Sequence, residues 1–490
     1  MKIVIVAPEI GPYAKTGGLA DVAGSLPLEI QALGHEVIAF LPRYKSVDIA
    51  QRGLKPVIEE LPVPIGSEKV IGKVYGLTHP GGAQFLFIDH PEFFNRDELY
   101  GTPHGDYPDN DVRFTFFQRG VLETLRILKV KPDVIHCHDW QAGLIPVYLK
   151  TIYANEQLFK KTKTIFTVHN LAYQGNFPPD SLPCTGLGWE HFRMERLEYY
   201  GKVSFLKGGV VFSDAITTVS PNYAKEIQGK EYGCGFEGVL MRRRDDISGI
   251  LNGLDYHVWN PATDPDIVAH YTLDTFDDKG INKKALQKEN NLEQDPKIPL
   301  FGIVSRLVDQ KGIDILIPIL QDIAEMGAQF VLLGTGDEKY HQIFRDIAKR
   351  NRYSFGIHIV FDSKMAKRFY AGCDVLFVPS YYEPCGLAQM IALRYGTIPI
   401  VRGVGGLADT IQEFDPKTEK GNGFTFQDYT SVALLGSVKR AFEIYKDKKS
   451  WRAIVRNAMQ CDYSWAASAK KFLQLYDETK RVSVGNLGEL

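Results

Sequence analysis

Asp374-Val375-Leu376-Phe377-Val378-Pro379-Ser380-Tyr381-Tyr382-Glu383-Pro384-Cys385-Gly386-Leu387-Ala388-Gln389-Met390-Ile391-Ala392-Leu393-Arg394-Tyr395-Gly396-Thr397-Ile398-Pro399-Ile400-Val401 reads as a buried strand, a polar loop, a helix and a second apolar strand. Pro384 suits the first helical turn, where its missing N–H is no loss, and Gly396 suits a left-handed stop. A strand, helix, strand unit of this kind builds a parallel α/β sheet. Its loop aims a helix N-terminus, with free N–H groups and partial positive charge, beyond the strand ends. Glu383 at that mouth either caps the helix or meets a ligand, and Cys385 in the same place would have a lowered thiol pKa.

The pattern recurs through the second half. The run Leu300-Phe301-Gly302-Ile303-Val304 delivers Arg306 to a strand's carboxyl end, and Lys311 follows in the next loop. A forked donor and a mobile point charge five residues apart suit a diphosphate. Gly405-Gly406 opens a later helix, with Val404 before it.

The first half begins with a strand at 2–7, a turn Pro8-Glu9-Ile10-Gly11-Pro12, and Lys15-Thr16-Gly17-Gly18-Leu19-Ala20-Asp21 leading a helix. Pro27 inside that helix predicts a kink, or two short helices with Ser25 capping the second. The glycine pair would let backbone N–H groups approach an anion, with Lys15 beside them. The spacing fits neither a Walker A loop nor a dinucleotide fingerprint, which disfavours an ATPase or a dehydrogenase. Residues 90–110 read as a long loop. In Asp133-Val134-Ile135-His136-Cys137-His138-Asp139-Trp140 a strand runs into polar residues, and Asp139 falls at its carboxyl end, where open α/β sheets hold ligands. His136 and His138 alternate as hydrogen-bonded structural groups do. Thr164-Ile165-Phe166-Thr167-Val168-His169-Asn170 ends in a histidine and an asparagine. His169 is open to three readings: base, sugar clamp or structural residue. Its neighbours Asn170, Tyr173 and Gln174 favour the clamp, because sugar hydroxyls need groups that donate and accept. The domain junction falls near Ile250-Leu251-Asn252-Gly253.

At 490 residues with 44% hydrophobic content, the chain has material for two or three domains. A formal charge of −2 recommends neither nucleic acid nor a charged tail as a partner. The six cysteines are scattered without zinc-like spacing, which suits a reducing compartment. The opening apolar run is too short for a signal core or a membrane span, so the cytoplasm is expected.

Taken together, the Lys15–Asp21 element, His138-Asp139-Trp140, His169-Asn170, Arg306 with Lys311, and Glu383-Pro384-Cys385-Gly386-Leu387 make the sequence resemble the bacterial glycogen synthases and plant starch synthases, from residue 1 to about 475. The resemblance implies two facing Rossmann-like domains (GT-B type) with the active site in the interdomain cleft. The N-terminal domain would span 1–250 and the C-terminal donor domain 251–460. A helix within 461–490 would cross back to the N-terminal domain, with a frayed tail after Val482.

The resemblance also implies retaining transfer of glucose from ADP-glucose to the non-reducing end of an α-1,4-glucan (glycogen, starch or a maltooligosaccharide), with no metal and no cofactor. Arg306 and Lys311 would hold the diphosphate, approached by Lys15 and the amides of Gly17 and Gly18. Glu383, Cys385 and Gly386 would contact the donor glucose, and His169, Asn170 and Glu9 would line the sugar pocket. Asp21, Asn252 and Leu387 would lie near the nucleotide, and Asp139 near the acceptor. The expected catalytic set is Glu383, His169, Asp139, Lys311 and Arg306. A start at Met1 without a plastid leader suggests a bacterial cytosolic enzyme, with a plastid or starch granule the setting in a photosynthetic lineage. The rival readings are a retaining transferase using UDP-glucose or acting like sucrose synthase, and a glucan-binding scaffold. No nucleic acid or membrane partner is expected.

Overall fold

Apolar runs of four or five residues, too short for helices and bounded by breakers, become the inner strands of two sheets. A computed structural model describes residues 1–481; the tail after Val482 lies outside the described residues. The chain forms two compact units. The first comprises Met1–Val219, Ala224–Gly253 and the helix Trp465–Arg481; the second comprises Leu254–Ser464 with Ser220–Tyr223.

The first unit is built on strands β1 (Lys2–Val6), β2 (Glu36–Pro42), β3 (Lys55–Ile65), β4 (Glu68–Thr78), β5 (Gln84–Asp89), β6 (Val134–His138), β7 (Lys163–Val168), β8 (Ala215–Thr218) and β9 (Ile247–Gly249). They form a nine-stranded sheet in the order β9-β8-β7-β6-β1-β2-β5-β4-β3. All pairings are parallel except the antiparallel edge β5-β4-β3. Ile3, Val4, Ile5 and Val6 are fully buried, as a central strand covered on both faces requires. Chain order reverses between β1 and β6, so the loops after these two strands diverge and leave a crevice at their carboxyl ends.

The second unit repeats the design with β10 (Leu300–Val304), β11 (Gln329–Leu333), β12 (Phe355–His358), β13 (Val375–Val378), β14 (Ile398–Arg402) and β15 (Phe424–Phe426). The order is β12-β11-β10-β13-β14-β15, all parallel. Here the reversal lies between β10 and β13, the strands that carry Arg306 and Glu383 at their ends.

Two local expectations are corrected. The helix Gly18–Ala32 runs as one element through Pro27 with Ser25 an interior residue, so of the two expected outcomes the pair of short helices capped by Ser25 does not form. Pro27 is buried, and Gly24 closes onto the chain at Gly11, where an added Cβ would stand 2.5 Å from the Gly11 carbonyl oxygen. Tertiary packing of this kind outweighs one missing N–H donor. The helix after Glu383 begins only at Ala388, so Pro384 is not in its first turn. Gly386 is left-handed (φ 74°), and the Gly406 N–H donates to the carbonyls of Glu383 and Pro384 at 3.1 and 3.2 Å. Those carbonyls therefore serve the next glycine loop. Gly396 does end the helix in the left-handed region (φ 66°).

The C-terminal helix Trp465–Arg481 packs on the helix Gly18–Ala32 within the first unit. Its Lys480 pairs with Asp133 at 2.8 Å, and its Ser468 hydroxyl donates to the Leu251 carbonyl at 2.8 Å. Among the described residues no helix is long and apolar enough to cross a membrane.

Candidate functional site

In the second unit, Arg306, Lys311, Glu383, Gly386 and Leu387 line one cavity of about 190 Å³ together with Ser380. Lys311 Nζ lies 2.5 Å from Glu383 Oε2, and the Ser380 hydroxyl donates to the same oxygen at 2.9 Å. The carboxylate thus serves Lys311 rather than the helix N-terminus, which removes the capping reading. Glu383 Oε1 makes no hydrogen bond among the described residues, so one lone-pair-bearing edge remains for a ligand hydroxyl. Arg306 is exposed and held only loosely by Gln310 at 3.4 Å. A guanidinium so free can turn to an incoming anion at small cost.

The glycines around this loop have a steric reason. A Cβ on Gly405 would fall 1.9 Å from the Glu383 carbonyl oxygen, one on Gly406 2.1 Å from that of Cys385, and one on Gly312 2.1 Å from that of Pro379. Backbone packs on backbone, so the loop has no room to shift. Cys385 is 5% exposed and lies beneath the cavity, contributing backbone and bulk rather than a presented thiol.

In the first unit, Glu9 is 4% exposed and ties down the Lys-Thr-Gly-Gly loop. It accepts from the Thr16 amide (2.5 Å), the Thr16 hydroxyl (2.6 Å), the Gly17 amide (3.1 Å) and the Tyr100 hydroxyl (2.8 Å). Glu9 therefore holds the loop from below, and the Gly17 N–H is committed to a carboxylate. Lys15 reaches Asp21 at 2.6 Å on the exposed side. Nothing lies within 4 Å of the Cβ positions of Gly17 and Gly18, so packing among the described residues gives no reason for glycine at either. Glycine at both leaves the backbone open to close approach.

Tyr100 reaches Glu9 because Arg113, fully buried, fastens the stretch 90–110. Its guanidinium donates to the Phe93 carbonyl (2.7 Å), the Asn110 side chain (2.6 Å) and the Leu99 carbonyl (3.1 Å). Sequence reasoning missed this pin, which is visible in one dimension only as an arginine amid an apolar helix.

Asp139 leaves β6 with φ 57° and ψ −179°, a conformation that costs a non-glycine residue on the order of 1–3 kcal/mol. Its Oδ1 accepts from the His169 N–H at 2.8 Å. Burial, with Glu9 adding to it, pushes its carboxyl pKa up to about 7 against the lowering effect of that bond. His169 in turn meets His138, Nε2 to Nδ1, at 2.9 Å. Burial lowers the His169 pKa to about 3, so the ring is neutral at physiological pH. Asn170 closes a turn, its Oδ1 accepting from Ala172 at 3.0 Å. Asn252 is buried in the stretch leaving the first unit and joins neither cluster by a hydrogen bond among the described residues.

The C-terminal helix also proves to carry polar chemistry to this row: Tyr476 meets His136 Nδ1 at 2.7 Å. A larger cavity of about 470 Å³, beside the edge strand β12, touches none of the expected site residues. Asp264 and Asp266, which flank Pro265 in a pattern that mimics a metal-binding Asp-x-Asp, share Lys367 at 3.0 and 3.1 Å, and Asp264 also accepts from Tyr395, so the pair is accounted for structurally.

Residues 2–242 match the family described as starch synthase catalytic domain, and 282–458 match glycosyl transferases group 1. A glycogen synthase from Koribacter versatilis is 44% identical over 482 residues, covering 98% of this chain and 99% of the relative. One from Geotalea uraniireducens is 46% identical, covering 97% and 98%. The solved catalytic domain of starch synthase IV from Arabidopsis thaliana, bound to ADP and acarbose, superposes with a TM-score of 0.88 at 35% identity, covering 98% of this chain and 99% of that one. With both halves matched in order and full-length relatives far above the level at which folds alone agree, the chain belongs to the glycogen and starch synthase family of glycosyltransferases.

Proposed function

We propose that the protein transfers glucose from ADP-glucose to the 4-hydroxyl at the non-reducing end of an α-1,4-glucan, with retention and without a metal. The observation that carries this reading is the convergence of Arg306, Lys311 and Glu383 on one cavity at a switch point of the second sheet. A similar starch synthase bound to ADP and acarbose supports an ADP-sugar donor and a glucan acceptor.

The chemistry follows from charge. As the bond from the anomeric carbon to the phosphate oxygen breaks, its electron pair goes to the diphosphate and the sugar becomes oxocarbenium-like. The Arg306 fork and the Lys311 ammonium stabilise the growing negative charge in a confined site, where such terms are worth most. The acceptor oxygen bonds to the anomeric carbon on the face the phosphate leaves, and its proton passes to the departing phosphate oxygen. Retention then needs no covalent sugar on Glu383 or Asp139. Glu383 Oε1 takes a donor-sugar hydroxyl; within the first unit, His169 and Asn170 are groups suited to sugar hydroxyls. With two side-chain cations on the diphosphate, no divalent ion is required, and a chelator leaves the rate unchanged.

The test is to supply labelled ADP-glucose, UDP-glucose and sucrose separately, each with glycogen and with fructose. Label from ADP-glucose in glycogen is expected. Transfer only from UDP-glucose, or only onto fructose, would assign the rival transferases. Absence of transfer from any donor would leave a glucan-binding scaffold.

A further inference from the structure

The buried histidine row contains one atom that decides more than its own state. His138 is fully buried; its Nδ1 faces His169 Nε2 at 2.9 Å, while its Nε2 has no hydrogen-bond partner. The His136 ring lies against it, tilted by 36° with ring centroids 4.1 Å apart, and both nitrogens of His136 are engaged, by Tyr476 at 2.7 Å and Thr167 at 2.6 Å. Burial holds His138 and His169 neutral, so each ring carries one proton and the shared hydrogen bond has two possible polarities.

The polarities are not equivalent. If His169 donated, the His138 proton would sit on Nε2, an N–H buried without any acceptor. Orphaned buried N–H groups are rarer and costlier than an unused lone pair. With the proton on His138 Nδ1, Nε2 keeps only an idle lone pair and the bond to His169 is made. His169 Nε2 must then accept, which puts the His169 proton on Nδ1. That nitrogen makes no hydrogen bond among the described residues.

We infer that His138 is a positioning residue: it fixes His169 as an Nδ1–H donor aimed at an oxygen of the bound sugar. His169 is therefore a clamp that stabilises oxygen lone pairs, and it is not a base, since its outward nitrogen already holds the proton. The inference rests on the reading that His169 lines the sugar pocket, but its first test does not depend on turnover.

In histidine-¹⁵N-labelled protein, long-range proton–nitrogen correlation spectra should show His169 with a pyrrole-type Nδ1 and a pyridine-type Nε2, and a scalar coupling across the bond to His138 Nδ1. A pyridine-type His169 Nδ1 would overturn the inference even if the enzyme makes glucan as proposed. In the second arm, His138→Asn places an amide donor where Nδ1 stood, while His138→Leu removes it. His138→Leu should lower kcat about tenfold or more with little change in KM for the donor, and should mix the His169 tautomers; His138→Asn should stay within about threefold of the parent and keep the Nδ1–H signature. Equal impairment of both variants, or an unchanged His169 signature in His138→Leu, would reduce His138 to packing. Should His138→Leu not fold, the spectrum of the unmodified protein alone decides.

Discussion

Lys311 and Glu383, separated by 72 positions, form an ion pair at 2.5 Å with side chains only 18% and 10% exposed. The cation proposed to meet the diphosphate is thus held in place by a carboxylate that keeps one oxygen free. The pair aligns Lys311 before substrate arrives, which is electrostatic preorganisation in its simplest form.

Lys311→Ala should lower kcat by about 10²–10⁴ with a smaller change in KM for the donor, because the lost interaction grows as the diphosphate leaves. It should also destabilise the fold by a few kcal/mol, since Glu383 is left largely buried and unpaired. The double variant Lys311→Met with Glu383→Gln should recover stability without recovering activity. Steady-state kinetics and chemical unfolding of both variants check the two halves; a change confined to KM would make Lys311 a binding contact only.

Asp139 gives a pH prediction. Its folded pKa of about 7 lies above the ordinary carboxylate value of about 4, so between these the native state binds more protons than the unfolded state. Stability therefore falls as pH rises through that window, and the penalty is complete above pH 7. Asp139→Asn keeps an acceptor for the His169 N–H and removes the charge. It should gain roughly 1–3 kcal/mol at pH 8 and nothing below pH 4, while activity drops sharply. Thermal melts across pH 4–8 would show it; equal melting shifts at both ends would refute the assignment.

Gly18→Ala separates packing from function. Its Cβ would meet nothing within 4 Å, and alanine favours a helix start, so stability should stay level or rise by about 0.5–1 kcal/mol. Donor KM should nevertheless rise, because the added methyl occupies the space a ligand needs. An unchanged KM would mean that no ligand approaches that backbone.

Gly406→Ala is the converse case. The new Cβ would stand 2.1 Å from the Cys385 carbonyl oxygen, and backbone cannot yield as a flexible side chain can. A loss of about 1–3 kcal/mol or more in stability is expected, together with a large loss of activity as the 383–386 loop is displaced. Full activity in a stable Gly406→Ala protein would show that the loop tolerates movement.

Much of the second unit's cavity was legible because its signals are local. Arg306 and Glu383 each lie in the loop that leaves an apolar strand, and a strand's carboxyl end is a place that sequence can name. Propensity alone starts the helix after Glu383 too early because it favours proline in a first turn, whereas the Gly406 amide, from a distant loop, takes the carbonyls there. Local rules overrate Pro27 as a breaker for the same reason, since the close packing of nearby Gly24 on Gly11 is invisible to them. Glu9 read as part of a turn, and nothing nearby announced that Tyr100 and Gly17 would both use it.

The sequence by itself determined the two-part α/β design, the strand ends that carry chemistry and the family motifs, because apolar period and turn residues are properties of neighbours in the chain. Only the tertiary structure decided which of those ends come together. The pairing of β1 with β6 and of β10 with β13 sets the two crevices, and the last helix brings Tyr476 to His136 across 340 positions. Contacts at that separation come from packing and strand order, and no local preference encodes them.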